Sequence, residues 1–368
     1  MREPGAAAFY LPWLDGLRAA AALLVLVSHS TIFPGRSGEI LSPLLGSFGV
    51  YVFLTLSAFL LTRLLRLEWQ STGRLALGAF WVRRALRIWP LYVVWCLLMA
   101  GWALWVGNEP ALRVLGQVLA HLTFTEDFTF PLGGWAAALP YSAQLWTISL
   151  EEQAYFLLPL VLSAYFAAGG CRRLRTILIA IAAAGAAVRL GLLLLGAGHV
   201  AVWVSPLHPD AFLAGLWLGL QDWPGDAADR ARGGMPWLVL VAALVAAVAL
   251  LGPPVFSIWA EIYAYPAFAA AALAVMIGIA RMPALARLLG APALRYLGRI
   301  SYGIYTFHFA ALAASDRLLQ GAGLANPVLQ LALALLITVA AADLSYRGLE
   351  RPFLKLKARF TAVQSRPI

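Results

Sequence analysis

Ten continuous apolar stretches constrain this chain more than any other feature. They lie near residues 17–33, 45–65, 88–107, 146–167, 176–196, 207–221, 236–252, 261–280, 300–318 and 327–346. Most are close to the roughly 20 residues of helix needed to cross a ~30 Å hydrocarbon layer. A bilayer core offers no water to backbone N–H and C=O groups, so a spanning segment must satisfy them internally. The stretches are continuous and rich in Leu and Ala rather than alternating, which argues for helices and against barrel strands. The expected fold class is an all-α integral membrane protein with about ten transmembrane helices. Composition agrees: 62% of the 368 residues are hydrophobic and only 12% are charged, where soluble domains carry about 25% charged residues.

The formal net charge is +10. In a soluble protein that excess would suggest nucleic acid, but here the arginines fall between apolar runs, where membrane orientation explains them. With the N-terminus in the cytoplasm, the inner side collects Arg63, Arg66, Arg74, Arg83, Arg84 and Arg87. It also collects Arg172, Arg173 and Arg175, then Arg230 and Arg232, then Arg281, Arg287, Arg295 and Arg299. Arg347, Arg351, Lys355, Lys357 and Arg359 complete it, while the outer side holds little beyond Arg36, Arg113 and Arg317. Both termini are therefore expected in the cytoplasm, in a multi-pass protein of the inner (cytoplasmic) membrane. The apolar stretch 111–125 is expected to be interfacial or re-entrant, because an eleventh span would place Arg172, Arg173 and Arg175 outside. The first run is expected to persist as a span rather than act as a signal peptide, since Asp15, Arg18 and His29 interrupt it. Residues 1–354 read as one transmembrane domain and 355–368 as a basic, solvated cytoplasmic tail. Cys96 and Cys171 are too differently placed to suggest a disulfide.

Ionisable residues inside a span cost roughly 2–3 kcal/mol or more, so each one calls for a reason. Arg18 and His29 are eleven residues apart, about 16 Å of helix rise and nearly whole turns, so they share one face. That face should meet a polar interior. Histidine is the side chain best suited to moving a proton near neutral pH. The fourth span opens with Trp146-Thr-Ile-Ser-Leu-Glu-Glu-Gln-Ala-Tyr155, which places Glu151 and Glu152 near the depth of His29. Glu151 could orient an imidazole; Glu152 reads as interfacial and wet. Arg83, Arg84 and Arg87 are neighbours on one helix and could bind phosphates, although orientation alone also predicts arginines there. Tyr302, Tyr305 and His308 on the ninth span, and His208 and Asp210 at the start of the sixth, are further polar candidates. Asp343 and Ser345, at the end of the tenth, could be packing or capping groups. His121 and His199 receive no role, and no metal site is expected.

Together these segments resemble the acyltransferase-3 family of bacterial membrane O-acyltransferases, over nearly the whole chain. Leu14-Asp-Gly-Leu-Arg18, with His29 eleven residues after the arginine, is similar to the family's opening pattern. Val52-Phe-Leu-Thr-Leu-Ser-Ala-Phe-Leu-Leu-Thr62 resembles its second-span motif, and Arg83-Arg-Ala-Leu-Arg87 with Ile-Trp-Pro90 its arginine motif. Trp146 to Tyr155, Ser301-Tyr-Gly-Ile-Tyr305 with His308, and Glu350-Arg-Pro352 complete the ordered set. Departures are Ala58 for a glycine, His208 for an arginine, and Thr306-Phe307 before the histidine.

The resemblance implies acyl-CoA as a cytoplasmic donor substrate, acetyl-CoA first among the candidates, with no permanently bound cofactor. The acceptor would be a hydroxyl, commonly of a sugar, polysaccharide or glycoconjugate. His29 would be the catalytic residue with Arg18 supporting it and Glu151 in the active-site lining. Arg84 and Arg87, with Arg83, would hold the CoA phosphates. Asp15, Ser57, His208, Asp210, Ser301, Tyr302, Tyr305 and His308 are additional site candidates, Ser301 and Tyr302 as oxyanion donors. Direct attack by the acceptor and a covalent acyl-histidine both remain open, and no soluble hydrolase-like domain is expected here. The rival class is a transporter or flippase for a lipid-linked or anionic solute, which buried Arg, His and Glu would also suit.

Overall fold

The computed structural model describes residues 9–107, 109–129, 134–196, 208–222, 233–251, 263–361 and 363. His199, Arg230, Arg232 and the last residues of the basic tail lie outside these, as does the side chain of Arg36. All regular structure among the described residues is helical. In chain order the helices are α1 (Pro12–Ser28), α2 (Gly35–Thr72), α3 (Leu77–Val106), α4 (Ala111–Leu122), α5 (Trp146–Ala167), α6 (Leu174–Leu194) and α7 (Asp210–Leu220). They continue with α8 (Met235–Leu251), α9 (Tyr265–Ala280), α10 (Pro283–Leu289), α11 (Pro292–Arg299), α12 (Ser301–Gly321), α13 (Pro327–Ser345) and α14 (Arg351–Lys357). A π-helical turn, Tyr346–Glu350, joins the last two.

Among the described residues, each apolar stretch overlaps a helix. Among the described residues, four helical segments are long and apolar enough to cross a bilayer: Ser37–Thr72, Leu77–Val106, Leu174–Leu194 and Pro327–Phe360. The pair α9 and α10, bent by 103° at its break, makes a fifth if it counts as one span. Helices α1, α5 and α12 fall outside this group, and they carry part of the polar lining of the site below, among it Arg18, Glu151 and Tyr305. Stretch 111–125 is a 12-residue helix. The first helix begins and ends earlier than expected, so His29 is not inside the helix but caps the C-terminus of α1.

The outside of the bundle is apolar. Trp105 is 77% exposed, Leu195 86% and Leu336 68%, an arrangement that water would penalise and lipid tails accept. The inside is built around α1 and α2. Helix α1 packs on α2, α10, α11 and α12, and α2 packs on α7 and α9. Glycines permit several of the close helix approaches, Gly298 and Gly215 among them. A Cβ on Gly298 would stand 1.8 Å from the carbonyl oxygen of Asp15, so only a glycine lets α11 touch α1 there. A Cβ on Gly215 would stand 2.1 Å from the Thr55 carbonyl oxygen and 2.8 Å from the Cβ of Ala58. The α2–α7 contact thus takes its small residue from α7, opposite the alanine that departs from the family pattern.

Several arginines assigned to orientation also close helix ends. The last carbonyls of a helix lack intrahelical donors. Arg63 donates to the Gln221 carbonyl at 2.9 Å, and Arg66 to the Leu220 carbonyl and, at 2.6 Å, to Asp222. The basic tail is not a free solvated segment as far as Thr361. Its Phe360 carbonyl accepts from Arg83 at 2.6 Å, which ties the tail to α3.

Candidate active site

Helices α1, α2, α3, α5 and α12 and the tail enclose a cavity of about 670 Å³. One part of its lining is basic: Arg18, Arg84, Arg87, Arg299 and Lys357. The walls are largely apolar, from Leu14, Leu54, Leu60, Leu61, Leu64 and Ile88, with Ser57, Thr147, Glu151, Tyr155 and Tyr305 among them. Phe9, Tyr10 and Leu11 line the same space as Lys357, Ala358 and Thr361. The two ends of the described chain therefore lie at one end of the bundle.

The expected residues divide into four places. Arg18, Asp15, Ser57, Glu151, Arg84, Arg87, Ser301, Tyr302 and Tyr305 all line the cavity. Asp15 accepts from Tyr10 at 2.9 Å and stands 3.8 Å from Arg18. Glu151 accepts from Ser57 at 3.3 Å and from Tyr155. Ser57 and Tyr155 both line the cavity, and the expected pairing of Glu151 with His29 is not formed. Glu152, expected to be wet, accepts from the indole N–H of Trp89 at 3.1 Å. The Arg84 guanidinium lies over the rings of Phe80 and Tyr155, 5.9 and 6.0 Å from their centroids. The Nε atoms of Arg84 and Arg299 are buried and have no acceptor among the described residues.

Ser301 and Tyr302, considered as oxyanion donors, already donate to backbone. Ser301 Oγ gives its proton to the Gly298 carbonyl at 3.0 Å, and Tyr302 to the Ile88 carbonyl at 3.0 Å. Tyr305 donates to the Gln144 carbonyl at 3.0 Å and accepts from Thr147 at 2.9 Å.

Arg83 stands apart from its neighbours. Its side chain turns away from the main cavity to Glu68, at 3.1 Å, with both residues buried. The Glu68 carboxylate also accepts from the backbone N–H of Ala76 at 2.9 Å. Arg83 therefore fastens α2, α3 and the tail together and is not placed to bind a ligand in that cavity.

His29 and His308 form the third group. The sequence put Arg18 and His29 on one face of a helix above a common polar interior. The cavity, however, ends before His29, which does not line it. The His29 ring packs against His308 and Phe309 and opens to the exterior on its other side. His29 Nδ1 is 2.8 Å from the Val25 carbonyl oxygen and 3.3 Å from His308 Nε2. His308 is buried and packs on Tyr305, ring centroids 5.6 Å apart. Tyr305 thus touches the cavity on one side and His308 on the other.

The fourth group is remote from the cavity. His208 Nδ1 lies 3.3 Å from the Tyr51 hydroxyl, and Asp210 pairs with Arg189 at 3.3 Å, all four buried. Arg189 escaped the sequence reading although a lone arginine in the run 176–196 was a usable signal. His121, given no role, makes a buried pair with Glu126 at 2.6 Å. Beside it, outside the apolar helices, burial pushes the Asp127 carboxyl up to about 6, although two contacts from the Gln153 amide partly offset this. Arg299 and Lys357 are the other omissions, because only the tertiary fold brings them beside Arg84 and Arg87.

Comparison with known proteins agrees with the motif order. The family model described as an acyltransferase domain, Acyl_transf_3, matches residues 11–347. The chain is 25% identical over 374 residues to "Peptidoglycan O-acetyltransferase OatA" of Listeria monocytogenes, covering 94% of this chain and 56% of that protein. It is 26% identical over 359 residues to "Putative peptidoglycan O-acetyltransferase YrhL" of Bacillus subtilis, covering 93% and 55% respectively. The chain thus spans a little over half the length of these curated relatives. No solved structure matches it. With its family model covering nearly every described helix, this chain belongs to the acyltransferase-3 family.

Proposed function

We propose that this chain is a membrane-embedded O-acyltransferase that moves an acyl group, acetyl by preference, from acyl-CoA to a carbohydrate hydroxyl. The observation that carries this is the basic part of the cavity. Arg84, Arg87, Arg299 and Lys357 converge there, and the buried Nε atoms of Arg84 and Arg299 lack protein acceptors among the described residues. A buried donor left open is costly unless a ligand fills it. Guanidiniums suit phosphate oxygens, and the CoA diphosphate and 3′-phosphate supply them. The apolar wall beyond, Leu60, Leu61, Leu64 and Ile88, suits the pantetheine arm. The positive-inside pattern puts this mouth and both chain ends in the cytoplasm, with ten helices crossing the inner membrane. The relatives' names make a peptidoglycan sugar the preferred acceptor.

His29 is the general base in this reading. Its Nδ1–H is committed to the Val25 carbonyl, which leaves the Nε2 lone pair to take the acceptor's hydroxyl proton. The alkoxide oxygen attacks the thioester carbonyl, the C–S bond breaks, and the CoA thiolate takes the proton from Nε2. A positioned base of this kind contributes roughly 10²–10⁴-fold. Because Tyr305 stands between the cavity and the histidines, the thioester reaches His29 only when Tyr305 leaves Thr147 and Gln144. Arg18, Ser57 and Glu151 lie on the approach.

Cell-wall glycans from cells expressing the native chain and His29→Ala, compared by mass spectrometry, test the reading. O-acetyl groups are expected with the native chain and absent with the variant at equal membrane abundance. Undiminished acetylation by His29→Ala would remove the mechanism.

A further inference from the structure

The two histidines hold each other's tautomers, and from this we infer that His308 is the positioning residue that fixes His29 with Nε2 as its reactive nitrogen. The inference rests on the reading of His29 as base. His308 Nδ1 lies 2.7 Å from the Tyr305 carbonyl oxygen. A carbonyl can only accept, so this nitrogen carries the proton and His308 Nε2 presents a lone pair. His29 Nδ1 lies 2.8 Å from the Val25 carbonyl oxygen, so it too carries a proton. That N–H is shared between the Val25 carbonyl and the lone pair of His308 Nε2, 3.3 Å away. Each ring therefore has one allowed neutral tautomer, and only His29 Nε2 is left without a described partner.

The arrangement performs the orienting task of a carboxylate in a catalytic triad, but with a neutral acceptor. When His29 takes the acceptor's proton on Nε2, the positive charge spreads to Nδ1–H, which points at the Val25 carbonyl and the His308 lone pair. Burial makes His308 effective in this place. It is 1% exposed, packed on Tyr305 and Phe309, with ring centroids 5.6 and 4.6 Å away. A ring so confined cannot swing, so the lone pair it offers to His29 Nδ1–H stays in place. Helix α12 also links this device to the donor cavity, because the carbonyl that fixes His308 belongs to Tyr305, whose side chain lines the cavity.

The test compares the full-length protein in nanodiscs with His308→Leu, His308→Gln and His29→Ala. The probes are acetyl-CoA as donor and a soluble N-acetylglucosamine oligomer as acceptor. Glutamine can place an amide oxygen near the former Nε2 and so keep an acceptor there; leucine cannot. In His308→Leu, kcat is expected to fall roughly 10–100-fold, less than the roughly 10²–10⁴-fold that the base itself contributes, with acetyl-CoA binding within twofold of the native protein. His308→Gln is expected to recover most of that loss. Histidine-selective ¹⁵N NMR of the native protein, with His29 assigned by its absence in His29→Ala, should show Nδ1 protonated and Nε2 bare. A protonated Nε2 in native His29 would overturn the proposal, and so would full kcat in His308→Leu or inactive His308→Gln that still binds acetyl-CoA. Should His308→Leu not fold, the native NMR pattern and His308→Gln decide. Full activity in His29→Ala would instead remove the base itself, a failure of the underlying reading that the other measurements distinguish.

Discussion

At the residue scale, the arginine motif of α3 separates into different tasks. Arg84 and Arg87 face the cavity, while Arg83 pairs with buried Glu68. Removing one partner of a buried ion pair costs about 3–5 kcal/mol because the other charge stays uncompensated. Arg83→Met should therefore lower the melting temperature in detergent markedly, while the protein that survives binds acetyl-CoA within twofold of native. Arg84→Gln and Arg87→Gln should do the reverse, weakening binding by roughly tenfold or more each, since charge-assisted contacts contribute about 1.5–3 kcal/mol, with little change in melting temperature. Isothermal titration and thermal-shift measurements on the three variants check both halves. Spacing cannot separate these residues: Arg83, Arg84 and Arg87 are neighbours on any helix, and which of them faces Glu68 depends on how α2 lies across α3.

At the element scale, α1 is held by contacts too close for side chains. Gly298 abuts the Asp15 carbonyl, one turn from Arg18 and next to Arg299, both in the cavity lining. Gly298→Val would force α11 away from α1, and overpacking of this kind costs typically 1–3 kcal/mol or more. Because the displaced segments carry Arg18 and Arg299, donor affinity should fall together with thermal stability, whereas Arg83→Met affects stability alone. Paired measurement of acetyl-CoA binding and melting temperature on Gly298→Val tests this, and unchanged binding would show that α11 does not set the cavity. The sequence shows Gly298 within Leu297-Gly-Arg299, yet a glycine at a helix end has several uses. Only the approach of another helix reveals which one applies.

At the scale of the whole molecule, an apolar exterior surrounds an interior that holds the basic cavity, and the charge asymmetry of the sequence predicts its orientation. Cys171 offers a direct check. It is exposed, beside Arg172, Arg173 and Arg175, whereas Cys96 is buried. If the arginine-rich end faces the cytoplasm, a membrane-impermeant maleimide should leave Cys171 unlabelled in intact cells and label it after permeabilisation. Labelling of intact cells would reverse the assigned orientation and place the basic mouth away from the CoA pool. The tail, expected to be solvated, follows the same logic in part: its charges stay at one end, but Lys357 lines the cavity and Phe360 is held by Arg83.

The sequence by itself determined the helices, their apolar exterior and the family, because these follow from local composition, from the absence of water in a bilayer and from motifs in order. It also singled out most of the cavity's polar residues, since a charge in an apolar run is conspicuous wherever it points. Tertiary structure alone decided which of those charges converge. It turned Arg83 to Glu68, brought Arg299 and Lys357 to Arg84, gave Glu151 to Ser57 and Tyr155, and set His29 against His308 beyond Tyr305. Helical periodicity fixes the face a side chain occupies, but not the neighbour that packing presents to that face.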